Sequence, residues 1–417
     1  MLKSSIQINF LTLMLLGLVF NSQANINSEL HVFYYSTVKF VETPLSPIEG
    51  SIALSKAEAM TRNHYRFAYN QLHQLVSVSF FNGDVPRNPN HTANLFTLSH
   101  RMEFNYTSNT ETITFFNTDG NAIEVLGNCA EFVYRLNDLG YRHRLYFMDK
   151  HKKRVANGWG IYEYRWDFQG DGSVIENRVD ETGKQVSIRP SFEFYLLRLR
   201  FNPWGHIALM QNIDSDGNLL ENSSGASQDR ITTNTHGNFL EWNVLDNKHN
   251  LERGNGPNVA IGRQHFDAYG YEIELEHQDE TGKTIASHYG IFRSQTEFDK
   301  YGNIEKRAFY DVNNNPTYHL NAGYHQLQIK WDKFGNQRES LSYFDSNGKA
   351  FSHALRGYHA ARYAYGQNGR LIKISYHSET GILVNRKDNG RAYTIFTYNK
   401  VDGARTSQHF DKNDNQL

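Results

Sequence analysis

His288, His319 and His353 fall just ahead of three glycines, Gly290, Gly323 and Gly357, at closely matching positions. Histidine ligates metals and moves protons near neutral pH, and the chain holds 19 of them. A zinc centre needs three or more ligands that converge, and no HExxH or other helix-spaced pair is present. The expectation is therefore a loose ladder of polar aromatics in repeated loops, with no metal and no cofactor. The many Asp and Asn residues raise calcium as a second possibility. The nearest run, Asp214-Ser215-Asp216-Gly217-Asn218, lacks the later bidentate Glu that closes a calcium loop, and turn formation explains these residues instead. There is no G-x-S-x-G elbow, no standout pair of carboxylates and no phosphate-cradling loop. The lone Cys129 reads as a small buried apolar residue rather than a nucleophile. No catalytic residue is assigned.

One column of side chains could still do chemistry. Trp166, Phe201, Phe266, Phe298, Trp331, Tyr365 and Tyr398 recur at roughly 33-residue spacing, a period that marks a repeat array. On an exposed face such rings would be a platform for sugar or peptide. Between units they would be a hydrophobic spine, and their strict recurrence beside a turn favours the spine.

The elements that position this column are clearest in residues 324–349. Leu327, Ile329 and Trp331 alternate, as do Leu341 and Tyr343, the period-2 pattern of half-buried strands. Each run ends in an Asp-x-x-Gly turn, Asp332 to Gly335 and Asp345 to Gly348. The Asp carboxylate accepts a backbone N–H two residues on, and glycine supplies the positive φ that returns the chain. The same unit repeats about eleven times down the chain, from Tyr69-Asn70 through Phe104-Asn105 and Leu136-Asn137 to Tyr398-Asn399. Turn glycines keep step at Gly170, Gly205, Gly237, Gly270, Gly302, Gly335, Gly369 and, one residue looser, Gly403.

Composition agrees with strands. Aromatics make up 14 %, with 25 Tyr and 27 Phe against only 8 Pro, a strand-former bias. Lys plus Arg number 43 against 44 Asp plus Glu, which gives no basic excess for nucleic acid. Lys3 precedes an apolar run at 8–20 that is too short to span a membrane, and Ser22-Gln23-Ala24 offers a cleavage site. The expectation is export to the periplasm or medium, with no membrane span after signal cleavage. With one Cys no internal disulfide is available, so packing and strand pairing must hold the fold.

The aromatic-Asp-x-x-Gly-Asn signature in 298–303 and 331–336 resembles the YD repeats of RHS-type proteins, and so does 344–349. That resemblance implies a strip of β-hairpins, secreted or surface-exposed, that curls into a shell or serves as a scaffold. The period here is longer, and the self-cleaving segment and toxin tail of RHS shells are not found, so no functional residue carries over.

The fold expected is all-β: a tandem β-hairpin repeat array forming an extended, twisted or curled antiparallel sheet. Residues 1–24 read as signal peptide, 25–62 as an N-terminal strand and cap region, and 63–417 as the array. The expected function is binding or scaffolding of a protein or glycan partner at the cell surface or envelope. An outer-membrane β-barrel and a secreted polysaccharide-acting enzyme are the alternatives. Any localised function is expected where copies deviate: near Thr233-Asn234, near Gly366, and in the Pro-containing first quarter.

Overall fold

The computed structural model describes residues 30–89, 99–189, 192–399 and 405–417. The leader read at 1–24 and the last turn glycine, Gly403, lie outside them. The 26 strands among the described residues form one sheet. Strand β1 (His31–Val38) lies between β2 (Gly50–Leu54) and β3 (Asn63–Tyr69), antiparallel to both. From β3 on, each hairpin pairs with the next in chain order. The helix Lys56–Ala59 begins at Ser55, whose hydroxyl and Glu58 make a reciprocal capping box. A membrane-spanning barrel needs a closed sheet with strands of about nine to eleven residues. Here the end strands do not meet and no described strand exceeds eight residues, which removes the barrel alternative.

Turn chemistry follows the repeat. Asp299 Oδ1 accepts the N–H groups of Tyr301 (2.8 Å) and Asn303 (2.9 Å), while Gly302 N–H donates to the Asp299 carbonyl at 3.0 Å. Register slips by one residue beside the turn, between Glu297 and Phe298, so each such hairpin closes on a bulge that needs a positive φ. Two units depart from the expected frame. The hairpin Glu163–Phe168/Val174–Val179 turns over Gln169 to Gly172. Gly172, at φ 81°, takes the role assigned to Gly170. The strand Arg101–Tyr106 likewise runs two residues past Phe104.

This frame corrects the reading of the aromatic column. Phe201, Phe266, Phe298, Trp331, Tyr365 and Tyr398 are half-buried, and only Trp166, two residues out of frame, is fully buried. Where the column residue is Trp331, Tyr365 or Tyr398, it ties its hairpin to the one before it. Trp331 Nε1 donates to the Ile304 carbonyl (2.9 Å), Tyr365 Oη to that of Arg338 (3.1 Å), and Tyr398 Oη to that of Leu371 (2.9 Å). Tyr106 makes the same bond to Leu75 (3.0 Å). Tyr365→Phe keeps the ring and removes the bond, so a loss of about 1 kcal/mol in urea unfolding is expected; no change would mean the rings act by packing alone.

The buried spine runs instead through the second strands of most hairpins, at Phe80, Phe115, Phe147, Val244, Phe309, Tyr343 and Tyr376, with Arg178, Asn212 and His277 at the same position in three others. Neighbouring rings meet it edge-on or tilted: Phe132 to Phe147 at 4.9 Å and Tyr358 to Tyr376 at 4.8 Å. The two columns share one face of the sheet, since Leu327, Ile329 and Trp331 alternate and Leu327 pairs with Tyr343; Trp331 is less buried because it sits at the strand end beside the turn.

The sheet curls into more than one coil. The turn carbonyls of His236, Tyr269, Tyr301 and Phe334, in four successive units, accept hydrogen bonds from Ser51 Oγ, Ser36 Oγ, Asn63 N and Asn82 Nδ2 respectively. Sequence separations of 233 at Ser36–Tyr269 and 254 at Asn82–Asn336 correspond to roughly seven to eight repeat units per revolution. Arg87 reinforces this seam, donating to Asn303 Oδ1 and to the Gly335 carbonyl, both at 2.7 Å. Farther along, Arg370 pairs with Asp119 at 2.8 Å.

Candidate functional site

Residues 39–49, between β1 and β2, pack inside the first coil as a plug. Val41 and Ile48 join the main core, and Phe40 stacks on Phe239 at 4.5 Å. Arg142 holds the plug backbone through three carbonyls, Pro44 (3.0 Å), Leu45 (3.3 Å) and Ser46 (3.1 Å), and is itself held by Glu111 at 2.5 Å. Thr43 Oγ1 donates to Glu176, and Glu42 pairs with Arg189.

Below the plug lies a buried charge pair. Glu176 and Arg178 sit two apart on the inward face of Val174–Val179, both with no exposed side-chain area. Trp166 Nε1 donates to Glu176 at 2.8 Å, and Arg178 donates to the carbonyls of Phe194 (2.9 Å) and Tyr195 (2.8 Å). Arg178 occupies the position that is Phe147 or Tyr343 in other copies, so one unit has exchanged its spine ring for a guanidinium. A buried charge persists only with such partners.

Beside the plug a cavity of about 370 Å³ opens, with Glu42, Arg189, Asp229, Asn255 and Gln264 among the rings of Phe40, Phe239, Trp242 and Tyr289. Asp229 comes from the strand Gln228–Thr233 and Asn255 from the following linker, where it holds φ 55°. Asn255 Nδ2 donates to Asp229 Oδ1 at 2.9 Å. Burial raises the Asp229 carboxyl to about 7, with the charge of Glu42 adding and Arg189 opposing. Burial also raises Glu42, against its pairing with Arg189. Burial thus holds both carboxyls toward the neutral form, and Asp229, raised to about 7, can take or give a proton near neutral pH. No motif marks these residues, because their neighbourhood is made by the coil and the plug rather than by spacing along the chain.

The histidines act locally. His319 Nδ1 accepts Ala322 N–H (3.1 Å), and His353 Nδ1 accepts Leu355 N–H (3.2 Å), so both cap linker turns. His353 Nε2 reaches the Ala322 carbonyl of the preceding linker at 2.6 Å. His288 adds its backbone N–H to the Pro257 carbonyl (2.7 Å). The one His-containing acidic group among the described residues that could hold a metal is His265, Glu274 and Glu276, and Glu274 already faces Arg293 and Gln295.

His64 offers a pH readout. It is fully buried, Arg66 Nε donates to its Nε2 at 3.0 Å, and its Nδ1 therefore carries the proton toward the Arg62 carbonyl (3.0 Å). Burial first, then Arg66, lowers its pKa from 6.5 to about 4. A depressed folded-state pKa adds stability above pH 6.5 that is lost as pH falls toward 4, about 2 kcal/mol of it between pH 7 and 5. Asp229 has the opposite sign, its contribution being full at low pH and lost as pH rises through 7. The two offset, so the test is a difference: the stability gap between wild type and His64→Gln should narrow by about 2 kcal/mol from pH 7 to 5. A gap independent of pH would remove this role.

No family model matches the chain, and no curated protein matches it in sequence. Among solved structures it is similar to TcdB2-TccC3-TEV, with TM-score 0.31 and 10 % identity over 87 % of this chain and 19 % of that one. TcdB2-TccC3 without its hypervariable C-terminal region gives TM-score 0.25 and 9 % identity over 83 % and 22 %. A porin-like protein from Bacteroides uniformis ATCC 8492 gives TM-score 0.21 and 10 % identity over 82 % and 93 %. The chain spans about a fifth of the length of the TcdB2-TccC3 chains it matches.

Proposed function

We propose that the chain is an exported β-repeat scaffold, secreted or periplasmic, that binds a protein partner along the free turn edge of its first coil. The observation carrying this is a contrast between equivalent turns. In the second coil the turn carbonyls of Tyr269, Tyr301 and Phe334 are taken by the first coil. The matching turns of the first coil, at Leu72, Leu139 and Trp204, have carbonyls that accept no hydrogen bond among the described residues. Their side chains are 70 %, 79 % and 61 % exposed, and since Phe334 is also 57 % exposed the contrast lies in the carbonyls. A row of apolar tips beside unused carbonyls suits a protein surface that supplies apolar contact and side-chain donors. The Asp-x-x-Gly turns support a relation to RHS-type repeats, whose scaffolding role fits this reading.

The test joins location to binding. Fractionation should place the mature chain in periplasm or medium, and cross-linking there should capture a partner. Combined Leu72→Asp, Leu139→Asp and Trp204→Asp changes should cut capture at least tenfold with the unfolding midpoint unchanged. Undiminished capture by that folded variant would refute the edge as the binding surface.

A further inference from the structure

The plug-side cavity is walled by chemistry that the edge does not use. Asp229 is only 6 % exposed, and its Oδ1 takes the single side-chain hydrogen bond it receives, from Asn255. Among the described residues its second oxygen receives no hydrogen bond, and Asp229 lines the cavity. Among the charged groups facing it, Glu42 is neutralised by Arg189, and Glu176 behind Glu42 by Arg178. Strands on either side place uncharged Met210 and Val244 opposite it. The ionised site therefore holds one negative charge with no counter-charge, and desolvation makes that costly.

The rings narrow the ligand class. Phe239 is stacked between Phe40 (4.5 Å) and Trp242 (5.7 Å). Trp242 lies flat over Gly262, where a Cβ would come within 2.0 Å of the indole, and Tyr289 stacks on His319 at 5.0 Å. Phe239 and Trp242 are engaged on both faces and offer a sugar no platform, while Phe40 and Tyr289 each keep one face. What the site lacks is a second positive donor, because Arg189, which lines the same cavity, is already paired with Glu42.

We propose that the cavity between the 39–49 plug and the strands Gln228–Thr233 and Phe239–Leu245 seats a ligand-borne cation, an ammonium or guanidinium group, on the free oxygen of Asp229. The Glu42 carboxylate and Gln264 also line the cavity and add acceptors. A cation here supplies the charge that a proton on Asp229 otherwise supplies, so binding displaces that proton and strengthens as pH rises.

Calorimetry of the full mature chain with n-butylammonium and n-butylguanidinium, against n-butanol, tests the seat. A tenfold rise in affinity for at least one cation from pH 6 to 8 is expected, with proton release seen by repeating the titration in buffers of different ionisation enthalpy. Butanol should bind at least tenfold more weakly at pH 8. Asp229→Asn, close in shape, should lose the pH dependence and at least tenfold in affinity at pH 8. Equal binding of butanol, affinity flat with pH, or no binding of either cation at millimolar concentration overturns the proposal even if the variant fails to fold. A Gly-Lys-Gly peptide separates sources: tighter than butylammonium, it assigns a protein side chain; weaker, a free amine. The Leu72 and Leu139 changes should leave this binding intact, which keeps the two sites separable.

Discussion

Gly335→Val is expected to cost about 3–5 kcal/mol, whereas the same change at Gly348 costs roughly 1–3 kcal/mol. Both glycines close an Asp-x-x-Gly turn at similar positive φ, 70° and 75°, so a β-branched side chain strains both backbones alike. Their surroundings differ. A Cβ at Gly348 meets nothing within 4 Å, while at Gly335 it would lie 2.3 Å from the Tyr301 ring. The Gly335 carbonyl also receives Arg87 at 2.7 Å and Asn303 at 3.0 Å, so moving the turn loosens the seam between coils. Gly335→Asn should be milder in backbone strain, because Asn314 already holds φ 62° at another turn of this chain. Urea unfolding of the three variants is the measurement. Equal losses at Gly335 and Gly348 would mean that the seam contributes nothing beyond turn strain.

The hairpin array was legible in the sequence because its causes are local. Alternation in 327–331 and the Asp and Gly of 332–335 each act within a few residues, and the structure repeats them. The inward column was less legible. Trp331 and Tyr343 lie on one face, since Tyr343 pairs with Leu327 and Trp331 follows Ile329 by two, and distance from the turn leaves Tyr343 in the core and Trp331 at the half-buried end. The slips at Phe104 and Trp166 arise because an aromatic-Asn or aromatic-Asp pair two residues early imitates the frame. The cavity was illegible for a different reason. Glu42 and Asp229 are 187 residues apart in a chain whose coil brings distant units together, and no spacing rule covers that distance. A trace did exist: Glu176 and Arg178 alternate with Val174 on one face of a strand, a charged pair where the period-2 pattern demands apolar residues. The first quarter, singled out for its prolines, does supply the plug.

That charged pair gives the second large effect. Glu176→Gln changes little volume but leaves Arg178 buried beside a neutral amide, and breaking a buried pair costs about 3–5 kcal/mol. The carboxylate also accepts Thr43 Oγ1 and Trp166 Nε1, so the loss reaches the plug as well as the sheet. Arg178 keeps the carbonyls of Phe194 and Tyr195, which hold its position but not its charge. If the cost is electrostatic, adding Arg178→Met to Glu176→Gln should recover at least half of it, because removing the second charge ends the desolvation penalty. Proteolysis within 39–49 should quicken in the single variant and slow again in the double. A double variant no more stable than the single would show instead that Arg178 is held by its carbonyl bonds and packing, and that the plug rests on Arg142 and the Phe40–Phe239 stack.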